Sequence, residues 1–165
     1  MAEFNLMSSL RGLTPNSSED EARDICRWSA QFQIETALGA TVAHAERTAH
    51  VVKRKSRLVG AKLSAGAAIT ANGTNYLTII VYKRIAGATP TPTTLLTMAL
   101  DTPTTDDVAA WVEKDLMGLS TYVTGTPASF DLNAGDKITV EVTKTGGSGL
   151  VLPVCELELT FEPRT

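Results

Sequence analysis

Two segments near the end of the chain alternate strictly between apolar and polar residues. In "DKITVEVTK", Ile138, Val140 and Val142 alternate with Lys137, Thr139, Glu141 and Thr143. In "VCELELTFE", Cys155, Leu157, Leu159 and Phe161 alternate with Glu156, Glu158, Thr160 and Glu162. Successive side chains of a strand leave opposite faces of the sheet, so each segment reads as a strand with one buried face and one wet face. The Gly-rich "TKTGGSG" between them predicts a hairpin. Glu156, Glu158 and Glu162 are then placed to face bases on a neighbouring strand. "NYLTIIVYKR" differs: Leu77, Ile79 and Val81 make one apolar face, and Tyr76, Ile80 and Tyr82 make another. That pattern predicts a central strand covered on both sides. Of 23 threonines, 19 follow residue 65, and turn signals such as "ANGTN", "AGATPTP", "DTPTTDD" and "NAGD" recur at short intervals. Short β-branched strands between regular turns predict an all-β sandwich or barrel from about residue 41 onward.

The first 40 residues follow another pattern. In "PNSSEDEARDICRWSAQF", Ser18 and Glu21 fit a capping box, and Glu19, Asp20 and Glu21 place negative charge at a helix N-terminus. Ala22, Ile25, Ser29 and Phe32 recur at helical spacing, widened by Cys26 and Trp28. This predicts a helix near 18–31 within an N-terminal arm, residues 1–40, ahead of a β domain at 41–165. A single short helix is marginal alone and needs a surface to lie on.

At 165 residues the chain suits one main domain with a real core. No apolar run reaches the roughly 18–20 residues of a membrane span, and the N-terminus lacks the pattern of a secretory signal. Asn72-Gly73-Thr74 therefore reads as a turn. Cys26 and Cys155 lie far apart and read as buried free thiols. The net charge of −3 hides an asymmetry: residues 1–46 hold seven acids and three bases, residues 47–62 six bases and no acid, and the remainder eleven acids and six bases. The basic stripe Arg47, Lys53, Arg54, Lys55, Arg57 suits a solvated strand face or an acidic partner. It is too short and too poor in aromatic residues to argue for nucleic acid.

Candidate chemistry is sparse. "AHAERTAH" holds both histidines in the order H-x-E-x-x-x-H. On a strand His44, Glu46 and His50 share a face, but the histidines stand roughly 20 Å apart, far beyond a single ion's reach. On a helix His44 and His50 point about 120° apart. A polar face is the better reading, and no cofactor or metal is expected. No G-x-S-x-G elbow is present, Cys155 alternates into the core, and "TKTGGSG" lacks the context of a phosphate loop. Asp101, Asp106 and Asp107 cluster without the spacing of a calcium loop and read as a polar loop. Trp111 is expected in the core; exposed, it would mark an interface or a platform for sugars. An enzymatic role is not expected.

The stretches "AAITANGTNYLTIIVYKR", "LNAGDKITVEVTKTGGSGLVLP" and the closing strand, within residues 45–162, resemble the jelly-roll domain of tailed-bacteriophage capsid decoration (cement or head-fibre) proteins. The resemblance covers roughly 70% of the chain and rests on a diffuse layout rather than a motif. It implies a jelly-roll-type antiparallel β-sandwich with an N-terminal arm. It further implies a non-enzymatic virion protein made in the host cytoplasm and seated on the outer capsid surface. Its partners would be the major capsid protein and its own copies, as a homotrimer or a dimer, with no membrane. The arm would supply Phe4, Leu6, Leu10, Arg11, Ile25, Trp28 and Phe32, and the stripe Arg47, Lys53, Arg54, Lys55 and Arg57, as contacts. The alternatives are a receptor- or glycan-binding module of a tail or baseplate, using Trp111 or Tyr122 beside the acids of 101–107, and another structural component of the virion.

Overall fold

The computed structural model describes residues 28–34, 44–87, 91–119, 121–146 and 153–164. Among the described residues nine strands form: β1 (Trp28–Ile34), β2 (His44–Val51), β3 (Ser56–Ala65), β4 (Tyr76–Arg84), β5 (Thr93–Ala99), β6 (Lys114–Asp115), β7 (Asp131–Leu132), β8 (Lys137–Thr145) and β9 (Cys155–Pro163). A short 3-10 helix at Pro127–Phe130 precedes β7. Among the described residues no helix is long and apolar enough to cross a membrane.

The pairing is that of one long antiparallel ribbon. β4 pairs with β5 at its tip, β3 with β6 and β7, β2 with β8, and β1 with β9. A flat ribbon would leave its apolar face in water. Rolled up, the ribbon brings β9 against β3 and β8 against β4, giving two sheets ordered β1-β9-β3-β6 (with β7 also on β3) and β2-β8-β4-β5. This is the jelly-roll arrangement. The core lies between the sheets, where Leu58, Ala61, Leu63, Leu77, Ile79, Val81, Leu96, Met98, Ile138, Val140, Val142, Leu157, Leu159 and Phe161 are all buried.

The alternation holds in β9 and, except that Thr139 is buried, in β8. The expected charge pairing holds for two of the three glutamates, since Glu156 lies opposite Ser64 and Gln33. Arg57 lies opposite Glu162, and Lys62 opposite Glu158. The expected hairpin between β8 and β9 does not form. β8 pairs with β2 and β4, β9 with β1 and β3, so the Gly-rich link crosses from one sheet to the other. Glycine suits either task, and local composition cannot distinguish them. The strand apolar on both faces is β4, central in its sheet, with Leu77, Ile79 and Val81 buried and Tyr76, Ile80 and Tyr82 half-buried outside.

Over 28–31 the structure shows strand where the sequence predicts helix; residues 18–27 lie outside the described residues. Trp28, Ala30, Phe32 and Ile34 occupy register positions opposite Phe161, Leu159, Leu157 and Cys155. Ala30 packs on the core, while Ser29 and Gln31 are exposed. The segment "WSAQFQI" alternates with a period of two as cleanly as it fits 3.6, and β9 offers an edge that decides between them.

Asp136, 1% exposed, fastens one end of the sandwich. Its Oδ2 accepts the Asn133 amide at 2.9 Å and its Oδ1 the Ala86 amide at 3.1 Å, and the Lys83 ammonium lies 3.9 Å away. The turn before it runs through Gly135 at φ +91, where an added Cβ would meet Ala86 at 3.0 Å, so glycine is needed. Replacing Asp136 by Ala strips two amides of their acceptor and removes the carboxylate 3.9 Å from the Lys83 ammonium, which keeps the Asp131 carbonyl at 2.6 Å. Asp136→Ala is expected to lower stability by about 3 kcal/mol, read as a lower urea midpoint at unchanged slope.

Candidate functional site

The basic stripe read from the sequence becomes a tip. Lys53, Arg54 and Lys55 form the exposed turn between β2 and β3, and Arg57 stands just inside β3. Arg47 is exposed farther along β2. Two cations join them from distant positions. Exposed Lys137 opens β8, in register with Val51 and Arg84. The Arg164 amide donates to the Lys55 carbonyl at 3.2 Å. Two of the acids here are drawn inward, Asp131 held by Arg164 at 2.9 Å and Arg57 at 3.9 Å and Asp136 buried, and half-buried Glu162 stands opposite Arg57, so cations outnumber the acid left at the surface. The outward-facing charge of the tip is therefore positive. Of the other sequence-derived contact residues, Phe4, Leu6, Leu10, Arg11 and Ile25 lie outside the described residues, and Trp28 and Phe32 belong to β1. Lys137 and Arg164 carry no signal in the sequence, because register alone brings them to residue 55.

The histidine stretch forms most of β2. Glu46 takes a bidentate ion pair from Arg84 on β4, across β8, and also accepts the Thr139 hydroxyl. The Arg84 hydrogen bond holds the Glu46 carboxyl below the usual carboxylate range. Beside it the Tyr82 hydroxyl donates to Glu141 at 2.8 Å, and burial followed by that bond pushes its pKa up to about 12. With both Glu46 oxygens engaged, this is a sheet-bracing network. His50 turns inward and stacks on Phe161, ring centroids 4.8 Å apart. Glu46 and His50, expected on one face, part company because a register shift falls between Thr48 and His50.

The remaining candidates are likewise accounted for. Cys155 is buried, its thiol donates to the Pro153 carbonyl at 3.2 Å, and burial pushes its pKa up to about 11. The acids of 101–107 diverge. Asp106 accepts the Thr102 amide and the Tyr122 hydroxyl, and Asp107 accepts the Ala71 amide at 2.8 Å. The loop's carbonyls at Thr105 and Asp107 are taken by the Lys114 ammonium, an internal cation. Tyr122, 3% exposed, is a core residue and offers no ring to a sugar. Burial, with its bond to Asp106, pushes the Tyr122 hydroxyl far above its ordinary pKa.

Trp111 overturns the expectation of a core tryptophan. It is 82% exposed at φ +61, a left-handed conformation that side chains seldom adopt. Its amide donates to the Ala65 carbonyl at 2.8 Å, and its ring edge lies against Gly66. With Ala67, Pro153, Val154 and Glu156 they line an open hollow of about 600 Å³. This hollow lies at the end of β3 opposite the basic tip.

No family model matches the sequence, and no curated protein matches it. Among solved structures, a chain from the structure of infectious bursal disease virus, Gx strain, aligns with a TM-score of 0.37 and 13% sequence identity. The alignment covers 83% of this chain and 32% of that chain, so this chain spans about a third of its length.

Two expectations follow. Burial and then the nearby Lys53 charge hold the His50 pKa below its ordinary 6.5. The folded state thus binds fewer protons than the unfolded chain, so stability is full above about pH 6.5 and falls as pH drops through the folded value. Urea midpoints measured from about pH 7 to about pH 5 should fall, and less steeply in His50→Gln. Because the Trp111 side chain contributes little to the core while its backbone is strained, Trp111→Gly should keep stability or raise it by about 1 kcal/mol in thermal melts.

Proposed function

We propose that this chain is a structural virion protein that decorates the outside of a tailed-phage capsid and cements contacts between major capsid proteins. The observation that carries the reading is the cationic tip, built from the β2–β3 turn, β3, the start of β8 and Arg164, with Asp131 and Asp136 engaged inward. A rigid positive tip of this kind suits an acidic protein surface, where opposed charge sets orientation and speeds encounter. The jelly roll is a scaffold used by viral capsid proteins, and also by lectins and cupins, so the fold permits this role without fixing it. The chemistry the sequence raised is spent on structure: Glu46 on Arg84, Asp106 on Tyr122, Cys155 in the core.

In this reading the tip residues Lys53, Arg54, Lys55 and Arg57, with Arg47 farther along β2, meet the capsid together with Lys137 and Arg164. Phe4, Leu6, Leu10, Arg11 and Ile25 of the N-terminal arm add apolar and charged contacts. Self-association as a trimer or dimer supplies several attachment points at once, which strengthens modest individual contacts. A glycan-binding module of a tail or baseplate is the second reading, favoured by the exposed ring of Trp111.

The test uses cognate capsids lacking the protein. Purified protein should co-sediment with them and raise their melting temperature, and Lys53→Glu/Lys55→Glu should weaken binding at least about tenfold. Folded protein that binds no capsid would sink the proposal. A glycan-array signal lost in Trp111→Gly would then favour the second reading.

A further inference from the structure

The two ends of the sandwich carry matched surfaces of opposite sign. Six large hydrophobic residues are exposed among the described residues: Val51, Ile85, Trp111, Val112, Leu119 and Val154. Five of them sit at the two ends, and Leu119 lies on the flank. At the basic tip, Val51 is in register with Lys137, which is in register with Arg84, the residue before Ile85. Val51 and Ile85 thus flank Lys137 at this end of the sheet, with Lys53 and Lys55 in the adjoining turn. No salt bridge engages any of these three lysines among the described residues.

At the other end, Trp111, Val112 and Val154 form the apolar centre, and acids surround it. Glu156 lines the same hollow, Glu113 and Asp115 are exposed, and Glu158 lies next along β9. Lys62 stands among these acids, paired with Glu113 at 2.7 Å and in register with Glu158 and Asp115, and its one positive charge leaves the four acids in excess. β3 joins the two ends with ten residues, a span of roughly 30 Å. An apolar centre with a charged rim is the ordinary anatomy of a protein interface. Here each molecule has one positive and one negative version of it.

We propose that copies of this chain associate head to tail, the Val51/Ile85 tip with its lysine rim seating on the Trp111 hollow with its acidic rim of a second copy. The occupant is a second copy because charge complementarity exists within the molecule itself. A lysine of the tip then meets both the π face of Trp111 and the Glu156 carboxylate. Such a contact is heterologous, so each molecule uses a different surface toward each neighbour, and the number of copies is set by whether the rotation closes. The strained backbone of Trp111 supports this role, since it holds a large ring away from the chain's own core. Both readings draw on the same tip, which one copy can offer to only one neighbour at a time; the capsid reading is tested on capsids and this one on the free protein, so either can fail without the other.

The experiment is sedimentation velocity of the full chain across protein concentration, at low and high salt. Association should grow with concentration and weaken as salt shortens the Debye length below about 10 Å. Trp111→Gly removes one end and Lys53→Glu/Lys55→Glu the other. Each variant alone should lose association by about tenfold or more. Mixed in equal amounts they should form a discrete dimer, because each retains the end its partner lacks. Circular dichroism verifies folding, and Lys53→Gln/Lys55→Gln replaces the charge reversal if that variant fails to fold. Wild-type protein that stays monomeric at low salt overturns the proposal. So does association that neither variant alters, or single-end variants whose mixture fails to dimerise.

Discussion

Everything in this fold depends on the closure of a rolled ribbon. Four nested strand pairs satisfy the backbone, but their apolar faces are buried only when β9 reaches β3 and β8 reaches β4. These two closing pairs join residues close to 100 positions apart in the case of β3 and β9, so loop entropy opposes them until the core forms. The strict alternation of β8 and β9 follows from that duty. Each of the two lies between neighbours on both sides, and a one-residue slip would turn Leu157, Leu159 and Phe161 into water.

The two ends use one device with opposite results. At the basic tip Asp136 is buried and accepts two backbone amides; at the far end Asp106 is buried and accepts an amide and the Tyr122 hydroxyl. A carboxylate that accepts hydrogen bonds from fixed donors rigidifies a turn without a metal ion. At the tip Asp131 and Asp136 turn inward and leave cations outside. At the other end Lys114 is drawn onto the loop carbonyls and leaves the acids of 113, 115 and 156 at the surface. The separation of charge along the molecule is thus a by-product of how each turn is fastened.

Much of this was legible in the sequence where one strand's own pattern sufficed. Ile138, Val140 and Val142, and Cys155 through Phe161, declare their faces unaided. What escaped needed a second strand. "WSAQFQI" carries both a helical and a strand period, and the decision comes from β9. His50 reads as polar surface until bulges in β2 turn it onto Phe161. Lys137 and Arg164 join residues 53–57 through register, which no local pattern records. The glycines of "TKTGGSG" announce a turn but not that the chain changes sheet there. Bulk and aromaticity favour burial of Trp111, whereas its backbone, at φ +61 and donating to the Ala65 carbonyl beside the Ala110–Ala65 bridge, leaves the ring outside.

The ribbon topology also gives the molecule a mechanical grain. Trp28 lies opposite Phe161, so a pull separating residues 28 and 164 loads the β1–β9 pair at one end and opens its bonds one after another, like a zip. A pull between the basic tip and the Trp111 end runs along β3 instead. It loads the β3–β9 ladder from Ser56 to Ala65 in shear, so many bonds bear the force together. A sandwich held by its two ends therefore resists tension along its length, while the same sandwich peeled from β1 yields readily.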